Sequence, residues 1–151
     1  SGKPGKVYNE DVNVLIKKIQ GDILYLDPPY NTRQYSANYH ILETIARYDS
    51  PKLRGITGMR DYKDQKSTFC SKRTACEAFN DLIKNADFKY IFLSYNNEGI
   101  IPVDRISEIM SGYGKYSVFT KEYKRFKADK DENRKIAGDG VTEYLHCLVK
   151  K

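Results

Sequence analysis

The chain has 151 residues, 40% of them hydrophobic and 13% aromatic, with a net charge of +6, which is enough apolar material for one modest core and one domain. No stretch approaches the roughly 20 apolar residues of a membrane span, and Cys70, Cys76 and Cys147 lack metal-ligand spacing; this argues against a membrane helix, a disulfide framework and a metal site, and for a soluble cytoplasmic protein with reduced thiols. The charge is uneven: residues 51–73 carry seven Lys or Arg against two Asp, and residues 115–135 carry eight against four acids, which suits a polyanion surface as well as it suits solvated loops.

Residues 1–8 read as a cut end. Asn9-Glu10-Asp11 can cap a helix whose apolar positions Val12, Leu15, Ile16 and Ile19 fall on one face, with Gly21 stopping it. The run from Asp22 to Leu26 is apolar and too short for a typical helix, and it ends in Asp27-Pro28-Pro29-Tyr30, so it reads as a buried strand feeding a rigid loop. Chemistry in open α/β sheets sits at that end of a strand. The prolines fix φ and remove two donors, which leaves carbonyls and the acceptor-only Asp27 carboxylate to face a cleft. An exocyclic amino group fits there, with its two N–H bonds directed at Asp27 and the Pro28 carbonyl and its lone pair aimed elsewhere. Tyr30 offers a flat face to an extruded base, and such stacking is worth roughly 1–3 kcal/mol.

Asp27-Pro-Pro-Tyr30 resembles the catalytic motif of the amino-group DNA methyltransferases. Its continuation, Asn31-Thr-Arg-Gln-Tyr35 with Asn38-Tyr-His40 and Leu42-Glu-Thr-Ile-Ala46, is similar to the subset that methylates adenine. The resemblance implies a Rossmann-like fold, S-adenosylmethionine as methyl donor with no metal, DNA as partner, and a restriction-modification setting. It also implies that an acid before the first helix contacts the donor's adenine. Asp11 matches that position best, although a plain capping role explains it equally well. Asp27 lies on both the catalytic and the donor side, and Pro29 completes the motif.

Beyond Tyr30 a polar, aromatic loop with Tyr35 leads into a helix through about Tyr48, with Ile41, Leu42, Ile45 and Ala46 as its expected buried stripe. His40 sits beside core positions, where packing is favoured over a general-base role. The segment from Asp49 to Cys70 has no usable periodicity, and a loop of that length is usually functional or disordered. Ala75, Phe79, Leu82, Ile83 and Ala86 mark a helix, and Lys89–Tyr95 a strand ended by Asn96-Asn-Glu-Gly99. That turn should lie beside the catalytic loop if the two strands are parallel neighbours, which makes Ser94, Tyr95 and Asn96 candidates for the base pocket or merely a strand-to-helix turn. Pro102 and Asp104 open a helix using Val103, Ile106, Ile109 and Met110.

The final third reads as strands near 116–124 and 143–149. With no crossover helix between them they should pair antiparallel, and in the resembling family the last strand inserts between the second and third. Cys147 alternates with apolar residues and is expected in the core. Lys121-Glu-Tyr-Lys-Arg-Phe-Lys-Ala-Asp129 resembles the family's hairpin near the extruded base, with Tyr123 and Phe126 as aromatic candidates and Lys121, Lys124, Arg125 and Lys127 for phosphates. A lysine-protected strand edge would look similar.

The expected fold is therefore α/β, a partial Rossmann-like methyltransferase domain with a mixed sheet of about four strands and an antiparallel C-terminal strand. No Phe-x-Gly-x-Gly loop for the donor's methionine part and no ribose acid precede the motif. The chain is thus expected to be the catalytic-motif half of a DNA adenine methyltransferase, inactive alone, with its exposed sheet edge covered by a homodimer or the other half. Alternatives are a basic nucleic-acid-binding or interaction module without catalysis, or a methyltransferase for cytosine, RNA or protein glutamine.

Overall fold

A computed structural model of the chain describes residues 2, 4–124 and 140–151. Its elements run α1 (Val12–Leu15), β1 (Gln20–Leu26), α2 (Tyr35–Asn38), α3 (His40–Arg47), two 3-10 turns (Lys63–Gln65 and Thr68–Cys70), α4 (Ala75–Asn85), β2 (Asp87–Asn96), α5 (Val103–Ser111), β3 (Gly114–Lys124) and β4 (Gly140–Lys150).

The four strands form one sheet in the order β1-β2-β4-β3. β1 and β2 are parallel, with Leu24 opposite Ile91 and Leu26 opposite Leu93, because helix α4 carries the chain back between them. Nothing helical separates β3 from β4 among the described residues, and β4 runs antiparallel to both β2 and β3. β1, β2 and β3 therefore point the same way, and their C-terminal ends share one rim.

Helices cover one face of the sheet. Leu26, Ile91, Leu93, Tyr95 and Leu148 meet Phe79, Leu82 and Ile83 of α4, Ile106, Ile109 and Met110 of α5, and Ile16 just after α1. α4 supplies its share because its apolar residues fall at i, i+4, i+7 and i+8, one stripe of a helix. Its C-terminal end is fastened by Lys150, whose Nζ donates to the carbonyls of Ile83, Lys84 and Ala86 at 2.8, 3.0 and 2.5 Å, where a cation complements the helix dipole. The opposite sheet face shows Ile23, Tyr25, Phe119, Leu145 and Val149 to solvent.

Four expectations are corrected. The strand before Asp27 is not buried as a whole: it is the edge strand, and only its last residue, Leu26, is buried. The first helix is only four residues long: Lys18 N–H turns to Leu15 O at 2.8 Å, and Gly21 lies inside β1, where a Cβ would sit 3.0 Å from the Phe88 ring. The α3 stripe has helical spacing but faces outward, Ile41, Leu42 and Ile45 being 62, 61 and 66% exposed, while His40 is buried. α3 is instead joined to the segment after it by polar contacts, Gln65 Nε2 donating to Glu43 Oε1 at 2.7 Å and Arg60 to Thr44 Oγ1 at 3.5 Å. On β4 the fully buried residues are His146 and Leu148, and Cys147 is half-buried on the other face.

Candidate active site

Burial of Leu26 pins the end of β1, so the chain leaves the sheet at Asp27 beside the C-terminal end of β2. The two loops are joined there: the Ile100 N–H donates to the Tyr30 carbonyl at 2.9 Å. The turn making this bond is built on Tyr95 and Asn96. Asn96 is buried, its Oδ1 accepts from the Glu98 N–H at 3.1 Å, and its carbonyl accepts from the Gly99 N–H at 3.2 Å. The Tyr95 hydroxyl oxygen accepts from the Ile101 N–H at 3.3 Å, and burial pushes the tyrosine's pKa up. Gly99 crosses the Tyr95 ring so closely that any Cβ would lie 2.0 Å from Cε1. Only glycine permits that approach, and with it the bond to Tyr30.

The other side of the motif loop is held by a reciprocal pair. Gln34 Oε1 accepts from the Ser67 N–H at 2.8 Å and Gln34 Nε2 donates to the Ser67 carbonyl at 3.3 Å, while the Cys70 thiol donates to Arg33 O at 3.4 Å. Tyr35 is thereby brought to the motif. Its pKa is raised first by burial, then by electrostatic interaction with the neighbouring Tyr30 and Asp27 side chains, and its ring centroid is 5.9 Å from that of Tyr39.

A cavity of about 700 Å³ opens at this end of β1, with Asp11, Val12, Asp27, Pro28, Lys66 and Phe69 in its walls. That is the size range of small-molecule sites. Asp11 caps α1, its Oδ1 accepting from the Asn13 N–H at 2.9 Å, and it also lines the cavity with Asp27. The lining is compatible with S-adenosylmethionine: four carboxylate residues, Glu10, Asp11, Asp27 and Asp64, can accept from amino and hydroxyl groups, Val12, Leu26 and Phe69 give an apolar wall, and Arg47 and Lys66 can meet a carboxylate. Among the described residues no three His, Cys, Asp or Glu are grouped to hold a metal ion, and no helix is long and apolar enough to cross a membrane.

The β3–β4 end lies on the same rim. Lys121 and Tyr123 project from one side of β3, the ammonium 4.9 Å from the ring centroid, and Lys124 ends the strand opposite Gly140. Three strand spacings, roughly 14 Å, separate β3 from β1. Arg125, Phe126 and Lys127 lie outside the described residues. Sequence reasoning missed the Gln34–Ser67 pair and the role of Gly99. Of these, only the glycine after a polar turn carried a signal.

A family model described as D12 class N6 adenine-specific DNA methyltransferase matches residues 2–109. Type II methyltransferase M.NlaIII of Neisseria lactamica is 54% identical over 145 residues, covering 96% of this chain and 43% of that protein. Type II methyltransferase M.FokI of Planomicrobium okeanokoites is 48% identical over 148 residues, 96% of this chain and 22% of that protein. Modification methylase StsI of Streptococcus sanguinis is 47% identical over 113 residues, 75% of this chain and 17% of that protein. The chain thus spans less than half the length of these curated relatives. No solved structure gives a significant match.

Proposed function

Because the chain belongs to the D12 class of N6 adenine-specific DNA methyltransferases, we propose that it forms the catalytic-motif portion of an enzyme that methylates the exocyclic amino group of adenine in DNA, of the restriction-modification type. The observation that carries this reading is the position of Asp27-Pro28-Pro29-Tyr30, which leaves the sheet at the C-terminal end of a parallel strand and whose first three residues line a cavity shared with Asp11. S-adenosylmethionine supplies the methyl group in such chemistry. Asp11 and Asp27 would hold its polar groups on the adenine side of the site.

The chain's own part in catalysis is orientation. The Asp27 carboxylate and the Pro28 carbonyl accept the two amino N–H bonds of the extruded adenine, turning the nitrogen lone pair toward the donor side. Tyr30 stacks on the base, and Tyr35, Lys121, Tyr123, Lys124, Arg125, Phe126 and Lys127 are proposed as DNA-facing residues, with Asn96 shaping the pocket from within its buried turn. No strong base is required beforehand, because the amino proton can leave after the nitrogen has become cationic. Exposed Ile23 and Tyr25 on β1 support a donor site completed by further polypeptide laid along that strand, either more of a longer protein or a second copy.

The test is a chimera in which this chain replaces the matching 145-residue segment of M.NlaIII. It is expected to methylate adenine in DNA, and Asp27→Ala within it to lose turnover by about 100-fold or more, the usual scale for a polar group aimed at the reacting centre. Turnover within a few-fold of the chimera after Asp27→Ala would remove the assignment.

A further inference from the structure

The segment after α3 turns at Asp49 and returns through a short hairpin. Arg54 and Met59 exchange both backbone bonds, each at 2.8 Å, and the Gly58 N–H closes on Gly55 O at 3.3 Å. Both glycines are in the left-handed region, with φ of 68° and 65°, so the tip Gly55-Ile56-Thr57-Gly58 is a tight turn that needs glycine at its ends. The base is anchored by Arg60, a buried side chain whose guanidinium donates twice to the Asp49 carboxylate, at 3.1 and 2.6 Å. This pair holds the Asp49 carboxyl below its ordinary pKa, the hydrogen bond from Arg60 being the largest cause. The corner it fixes is strained, because Tyr48 and Ser50 on either side of Asp49 have φ of 51° and 43°.

What this rigid hairpin displays is unusual for a turn. Ile56, at the apex, is 108% exposed, where turn chemistry favours small polar residues. Lys52 and Arg54 stand exposed on the segment leading to it, the Arg54 guanidinium 3.8 Å from the Asp61 carboxylate. Arg54 and Lys66 line a hollow of about 190 Å³ at the hairpin base, and Lys66 also lines the main cavity. An aliphatic tip on a cationic stem, whose base shares Lys66 with the cavity lined by Asp27 and Pro28, matches the side chains that wedge between base pairs while cations neutralise phosphates.

We infer that the Arg54–Met59 hairpin is a duplex-DNA contact, Ile56 entering the base stack beside the target adenine and Lys52 and Arg54 meeting the flanking phosphates. The inference rests on the proposed methyltransferase function for its ligand. The chain contains no tryptophan, so Ile56→Trp places a single fluorophore at the tip, and Val7→Trp, at an exposed residue outside the hairpin, is the control. With a short DNA duplex at low salt, emission at position 56 should be strongly quenched by base stacking and emission at position 7 should not. Lys52→Ala with Arg54→Ala should reduce the slope of log affinity against log salt by about 2. Circular dichroism of each variant confirms folding, and the tip's exposure makes unfolding by Ile56→Trp unexpected. Duplex binding by anisotropy with unchanged emission at position 56, which would leave the tip for a protein surface, overturns the inference; so does absence of duplex binding. None of these readouts involves methyl transfer, and all can be repeated with Asp27→Ala, so failure of the hairpin and failure of the catalytic assignment are told apart.

Discussion

Acid should destabilise this fold through one histidine. His146 is fully buried in β4, its Nδ1 is 2.7 Å from the Tyr116 hydroxyl, its ring lies 6.0 and 5.7 Å from those of Tyr116 and Tyr144, and its Nε2 has no partner among the described residues. Burial lowers its pKa from 6.5 to about 4, since a charge there would exchange water for aromatic and aliphatic walls. The folded state thus keeps a neutral imidazole at a pH where the unfolded chain takes up a proton. Stability from this group is complete above pH 6.5 and is lost as pH falls toward 4, to a total of about 3 kcal/mol, with about 2.5 kcal/mol gone between pH 7.5 and 4.5. That is a large share of the roughly 5–15 kcal/mol that holds an ordinary domain together. Urea unfolding of the parent chain and of His146→Leu at both pH values isolates the effect. Other titrating groups and the packing cost of leucine cancel in the double difference, which should be about 2.5 kcal/mol, the variant being the less acid-sensitive. The same pH dependence in both proteins would refute the reasoning, and a histidine ring titrating near pH 6.5 by NMR would identify the fault.

Gly99→Ala should cost about 1–3 kcal/mol, because its Cβ would collide with the Tyr95 ring and the turn must move; in the M.NlaIII chimera it should impair methylation more than DNA affinity, since it shifts the Tyr30 carbonyl without touching a phosphate contact. Tyr95→Phe, which removes the acceptor for the Ile101 N–H but leaves the Gly99 approach open, should cost about 1 kcal/mol, and a loss of methylation in the chimera as large as that of Gly99→Ala would deny Gly99 its special place. The 151-residue chain by itself should bind S-adenosylmethionine no tighter than about millimolar, each lost decade being about 1.4 kcal/mol; micromolar binding in calorimetry would reveal a complete donor site within this chain.

The parts legible in the sequence were those where local pattern and chain connectivity suffice. An apolar strand ending in Asp-Pro-Pro-Tyr, two helices with clean stripes at 75–86 and 103–110, and a last pair of strands without a crossover helix determine the element types. Together with the family resemblance they lead to the order β1-β2-β4-β3, as the sheet bears out. Period alone could not say which apolar face meets a partner. In β4 both faces carry apolar groups, Leu145, Cys147 and Val149 against Tyr144, His146 and Leu148, and the choice fell to α4 and α5, which cover only the second. In α3 the stripe at Ile41, Leu42 and Ile45 has the spacing of a buried face, yet polar bonds from Arg60 and Gln65 bind the opposite side and turn the stripe outward. The bond from Ile100 to Tyr30 joins residues 70 apart in the chain. It exists because parallel pairing sets the two loops on one rim and Gly99 lets them approach, a condition set by tertiary geometry and by no local pattern.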